Sequence, residues 1–145
     1  MRRKINKVQR IIFKLMELSS FNEFDGKKVV KDLIKNSGKW IGAIWGRFTY
    51  MTMLPLRDIS KGYYNADTLY LSVPKKYVSF FEEKAIREWK ASEVGYVLNG
   101  KTFGIVDVNL RSLSGDEKVK KIPFFHSPLG ASPEPDVAYM RIWWD

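Results

Sequence analysis

The sequence predicts an α+β protein: two N-terminal amphipathic helices, then a mainly antiparallel sheet with one further helix packed on a face. Three observations carry this. Apolar residues recur at helical spacing over the first 36 positions, the pattern switches to β-branched and aromatic runs from Trp40 onward, and Asn99-Gly100 separates two alternating apolar runs as in a hairpin.

The first helix is expected over 4–18, where Ile5, Val8, Ile12 and Leu15 recur at 3, 4, 3 spacing, with Ile11, Met16 and Leu18 widening the stripe. At 100° per residue the apolar arc spans about 160°, more than one packed neighbour requires. Ser20 and Glu23 have capping-box spacing, and Asp25 is the better N-cap for a second helix running from about Gly26 to Asn36 and stopping at Gly38. There Val29, Val30, Leu33 and Ile34 face inward, while Lys27, Lys28, Lys31 and Lys35 share a quadrant.

The segment "WIGAIWGRFTYMTML" reads as a long strand with a bend at Gly42 or Gly46, and Pro55 ends it. "DTLYLSV" is a short strand. Pro74 opens a helix through about Lys90 with Val78, Phe81, Ala85 and Trp89 inside. A two-residue loop at Asn99-Gly100 pairs Leu98 with Lys101 and Tyr96 with Phe103. "VKKIPFF" has the Pro123 of an edge strand, "HSPLGASPEPD" is a loop, and "VAYMRIWW" closes the sheet. In that last strand Ala138, Met140, Ile142 and Trp144 share a core face, while Val137, Tyr139, Arg141 and Trp143 share the other.

The 145 residues suit one domain, divided into a basic helical segment at 1–39 and an α+β body at 40–145. With no cysteine there is no disulfide framework, thiol nucleophile or Cys-ligated metal, and a lone His126 excludes a His-pair centre. No apolar run approaches the roughly 20 residues that span a bilayer, and the N-terminal apolar stretch is broken by Lys14 and Glu17, unlike a signal peptide. A cytoplasmic, cofactor-free protein without a membrane partner is expected.

The charge is uneven. Residues 1–39 hold 11 Lys/Arg against 4 Asp/Glu and carry +7, whereas the other 106 residues carry +2. Phosphate binding needs several cations on one face, because each neutralised phosphate releases condensed counterions. Arg3, Lys7, Arg10, Lys14, Lys28, Lys31 and Lys35 meet that need if the two helices pack side by side. Tyr139, Arg141 and Trp143 add aromatics beside a cation, a combination able to stack unpaired bases. The leading expectation is therefore a binding protein that contacts the backbone of DNA or RNA, in a sequence-tolerant mode.

Two alternatives belong to other classes. The wide apolar arc of the first helix could bury against the same helix of a second copy, giving a homodimer or larger assembly. Asp107, which alternates with Asn109 and Arg111 on one strand face, could join Asp58 or Asp67 to hold Mg²⁺ as in a metal-dependent nuclease, with Ser92 opposite it in the hairpin. No nuclease spacing is present, and Ser127 beside His126 is not a triad, so the residues favour a binding protein over an enzyme.

Overall fold

The structure, a computed structural model, describes residues 2–47, 56, 58–64, 66–98, 104–106 and 136–145. It has the α+β architecture expected: two helices, then an antiparallel sheet interrupted by a third helix.

Helix α1 (Lys7–Glu17) starts later than expected because Asn6 caps it, its side chain accepting from the Gln9 N–H at 2.8 Å. Ser20 does not stand at the start of a helix. It lies in a tight hairpin of β1 (Ser20–Phe21) and β2 (Phe24–Asp25), turned at Asn22, whose φ of 47° suits the left-handed region that Asn tolerates. Asp25 then caps α2 (Gly26–Lys35), as its spacing promised, accepting from the Lys28 N–H at 3.1 Å.

Strand β3 (Gly42–Gly46) is the described part of the long apolar run, and residues 48–55 lie outside the description. β4 (Thr68–Pro74) matches the short strand. Pro74 closes this strand instead of opening the helix: a 3-10 turn (Lys75–Tyr77) intervenes before α3 (Val78–Glu83), which continues as a π-helical turn (Lys84–Glu88). The inner face is the expected one, with Val78, Phe81, Ala85 and Trp89 all buried.

Strands β5 (Glu93–Leu98), β6 (Gly104–Val106) and β7 (Val137–Trp143) complete a five-stranded sheet in the order β3-β4-β7-β5-β6, antiparallel throughout. The last strand therefore sits at the centre. The β5–β6 register differs from the expected one by three residues: Leu98 faces Gly104 and Tyr96 faces Val106. Tyr96 also faces Met140 of the central strand. Residues 99–103 and the segment from 107 to 135, with the expected edge strand and Pro-rich loop, lie outside the description.

One sheet face is core. Ala43, Trp45, Leu69, Leu71, Ala138, Met140, Ile142, Val94 and Tyr96 form a single cluster with Phe13, Met16, Val29, Val30, Leu33, Phe81, Ala85 and Trp89 from the helices. Trp144 joins it fully buried. Its ring lies edge-on to Phe24 at 4.8 Å and to Trp45 at 5.9 Å, and its indole N–H donates to the Trp89 carbonyl at 2.9 Å. No described helix is long and apolar enough to cross a membrane.

Candidate functional site

The helical layer carries the charge. On α1, Lys7, Arg10 and Lys14 are exposed; on α2, Lys27, Lys28, Lys31 and Lys35 are exposed. Contacts fix how the two rows lie. Phe13 packs edge-on to Trp40 at 5.8 Å, and the Trp40 indole donates to the Leu33 carbonyl at 2.8 Å, so the Phe13 side of α1 is the side toward α2. Continuing around α1 past Phe13, at 100° per residue, come Glu17, Arg10, Lys14 and Lys7. On α2, Lys28 and Asp32 face the π-helical turn: Lys28 Nζ donates to the Glu88 carbonyl at 2.7 Å, and Asp32 accepts from the Trp89 indole at 2.8 Å. The opposite flank, Lys27 and Ile34, therefore borders α1, with Lys31 and Lys35 on the outer surface between the flanks. The two cationic rows share one outward surface.

The acid of α2 is diverted from it. Asp32 is 3.5 Å from Lys84 Nζ, and Lys84 is also 2.6 Å from Glu88. Burial pulls the Lys84 ammonium down, but the bonds and charges of Glu88 and Asp32 more than offset this and hold its pKa above the usual lysine value. Asp25 is spent as the α2 cap. Glu17 remains as the one acid within α1.

Not every candidate cation is equally available. The Arg3 guanidinium lies over the Trp40 ring at 5.0 Å and donates to the Ile41 carbonyl, tying the N-terminal segment to the body. Lys28 spends one donor on Glu88. Among the described residues, no hydrogen bond or ion pair engages the side-chain amines of Lys7, Lys14, Lys27, Lys31 and Lys35 or the guanidinium of Arg10. Lys27 thus extends the candidate row.

The second sheet face is polar at its centre. Arg141 stands between Tyr70 on β4 and Gly95 on β5. Arg141 is fully buried, 3.7 Å from Glu93. Burial lowers its pKa, opposed by Glu93, Tyr70 and Asp67. Its guanidinium is therefore part of an internal charge cluster, away from the outward lysines. Tyr139 and Trp143 are half-buried on the same face. The candidate residues fall into two groups on different surfaces: the helical cations together, and Tyr139, Arg141 and Trp143 elsewhere.

The apolar arc of α1 is divided. The buried residues are Gln9, Phe13 and Met16, with Ile5, Ile12 and Leu15 partly buried, whereas Val8 is 70% exposed, Ile11 54% and Leu18 63%. Beside this uncovered ridge, a groove of about 610 Å³ runs between α1 and the second sheet face, lined by Val8, Ile12, Ile41, Ile44, Tyr70 and Tyr139 among others. The sequence held a signal for the ridge: Val8, Ile11, Leu15 and Leu18 follow 3, 4, 3 spacing, interleaved with the stripe Ile5, Val8, Ile12, Leu15.

For metal chemistry, no group of three or more His, Cys, Asp or Glu among the described residues is placed to hold an ion. Asp67 instead accepts from the Thr68 hydroxyl at 2.7 Å and lies 4.0 Å from Arg47. Asp107 and His126, and with them the expected pairing of Ser92 with Asp107, lie outside the described residues. Compared with family models, curated proteins and solved structures, the chain matches none.

Proposed function

We propose that the chain is a cofactor-free binding module whose α1–α2 surface grips a nucleic-acid backbone. The observation that supports this reading is the uncommitted state of Lys7, Arg10, Lys14, Lys27, Lys31 and Lys35 on one outward surface, while Asp32, the acid of α2, is turned inward to Lys84 and Trp89. Flexible lysines on a helical surface neutralise phosphates without reading base edges, so binding is sequence-tolerant and driven by counterion release. Tyr139 and Trp143 lie on another face and are not part of the primary contact. The reading places the protein in the cytoplasm.

The test is a mobility-shift series with single- and double-stranded DNA and RNA at two salt concentrations. Affinity should fall steeply with salt, by about 0.9 in log K per log salt for each phosphate engaged on duplex DNA. Lys7→Glu, Arg10→Glu, Lys27→Glu and Lys31→Glu combined should abolish binding and leave circular dichroism unchanged. Absence of any shift at low salt, or unchanged affinity in the folded quadruple variant, sinks the reading.

A further inference from the structure

We infer that the α1 ridge and the adjoining groove form a docking surface for an amphipathic helix with an acidic flank, belonging to a partner protein. Exposed apolar residues scattered singly are normal on a soluble surface. Here Val8, Ile11 and Leu18, each more than half exposed, stand in one row with the half-buried Leu15, and the row continues through Val8 and Ile12 into the groove, where Ile44 is 62% exposed. The spacing of the row is that of helix-to-helix anchors, and the groove supplies the concavity that seats a partner helix's apolar side chains.

Charge selects the occupant. At 100° per residue, Lys7 and Lys14 border the ridge of α1 directly, and Arg10 stands beyond Lys14 with Glu17 next to it. A helix lying along the ridge with Asp or Glu on that flank meets Lys7 and Lys14 first, with Arg10 behind them. A second copy brings the same row to the contact: in antiparallel pairing Lys7 gains Glu17, but Arg10 meets Lys14, and both chains carry +9. The gains and losses cancel for self-association and add for an acidic partner.

This inference shares Lys7, Arg10 and Lys14 with the nucleic-acid reading but needs no lysine of α2, so the two are separable. The probe is a fluorescent synthetic helix with Leu at i, i+3, i+4 and i+7 and Glu on its remaining faces, titrated against the full chain and followed by anisotropy. Saturable binding should weaken at least about tenfold in Val8→Asp/Ile11→Asp, both at exposed positions, and in Lys7→Glu/Arg10→Glu/Lys14→Glu. Lys27→Glu/Lys31→Glu/Lys35→Glu should leave peptide binding unchanged while weakening any nucleic-acid shift. Leu18→Asp, at the far end of the ridge, serves as a second folded variant. No peptide binding at low salt overturns the inference, as does binding indifferent to the ridge substitutions. It is equally overturned by a concentration-dependent dimer in sedimentation that Ile11→Asp dissolves, which assigns the ridge to a second copy.

Discussion

The Gln9 side chain replaces a strand at the open edge of β3. Its amide N–H donates to the Ala43 carbonyl at 2.8 Å, and its carbonyl accepts from the Ala43 N–H at 2.9 Å, so one residue of α1 satisfies both backbone groups of an edge position. Edge strands left open invite pairing with other chains. Here the helix that carries the cationic row also closes the edge of the sheet.

Gln9→Leu should therefore destabilise the protein although it adds a good helix former. Two buried backbone groups lose their partners, at about 1–3 kcal/mol each. The midpoint of urea unfolding should fall, and the variant should show more self-association than the parent by light scattering. A midpoint equal to the parent's would refute the edge-closing role.

Gln9 also marks where the sequence stops being legible. Periodicity assigns the inside of a helix to its apolar stripe, and α3 obeys because one sheet face covers it: Val78, Phe81, Ala85 and Trp89 are all inside. α1 lies along an edge, where the buried residue that matters needs an amide, and so Val8 and Ile11 stay outside. The alternation of Ala138, Met140, Ile142 and Trp144 was readable because a strand has only two faces. The β5–β6 register was not: Tyr96 faces Val106 where the two-residue loop would have given Phe103. For the candidate surface, the cationic rows were legible from spacing alone. The inward turn of Asp32 and the burial of Arg141 were not, because both depend on partners from other elements.

Gly26 gives a prediction of reversed sign. In an exposed helix, Gly→Ala stabilises by about 1 kcal/mol. At Gly26 an added Cβ would stand 1.9 Å from the Met16 carbonyl oxygen, a backbone atom that cannot swing aside. Gly26→Ala should push α1 and α2 apart and lower the melting temperature. A stabilised variant would show that the two helices do not approach this closely.

The adjacent tryptophans at the end of the chain should differ sharply. Trp144 fills the core against Phe24 and Trp45 and bonds the Trp89 carbonyl, so Trp144→Ala should cost about 3–5 kcal/mol. Trp143, half-buried on the second face, should cost clearly less. Chemical denaturation of both variants decides this, and equal losses would mean that the second face is packed as tightly as the first.

Alkaline pH should weaken the fold through Tyr96 and Lys84. Burial, then the neighbouring Glu82 carboxylate, pushes the Tyr96 phenol well above its usual value, and its hydroxyl donates to Glu82 at 3.4 Å. Lys84 is also raised, by Glu88 and Asp32 acting against burial. A raised folded pKa means that the folded chain keeps a proton which the unfolded chain releases above about pH 10. The stabilisation is complete below that pH and declines as pH rises toward the folded values, by up to about 1.4 kcal/mol per pH unit for each group. Urea unfolding between pH 8 and 11 should record this decline. Tyr96→Phe should be less stable at pH 8, having lost the bond to Glu82, yet should lose less with each further pH unit. If the two chains decline in parallel, Tyr96 does not contribute to the alkaline limb.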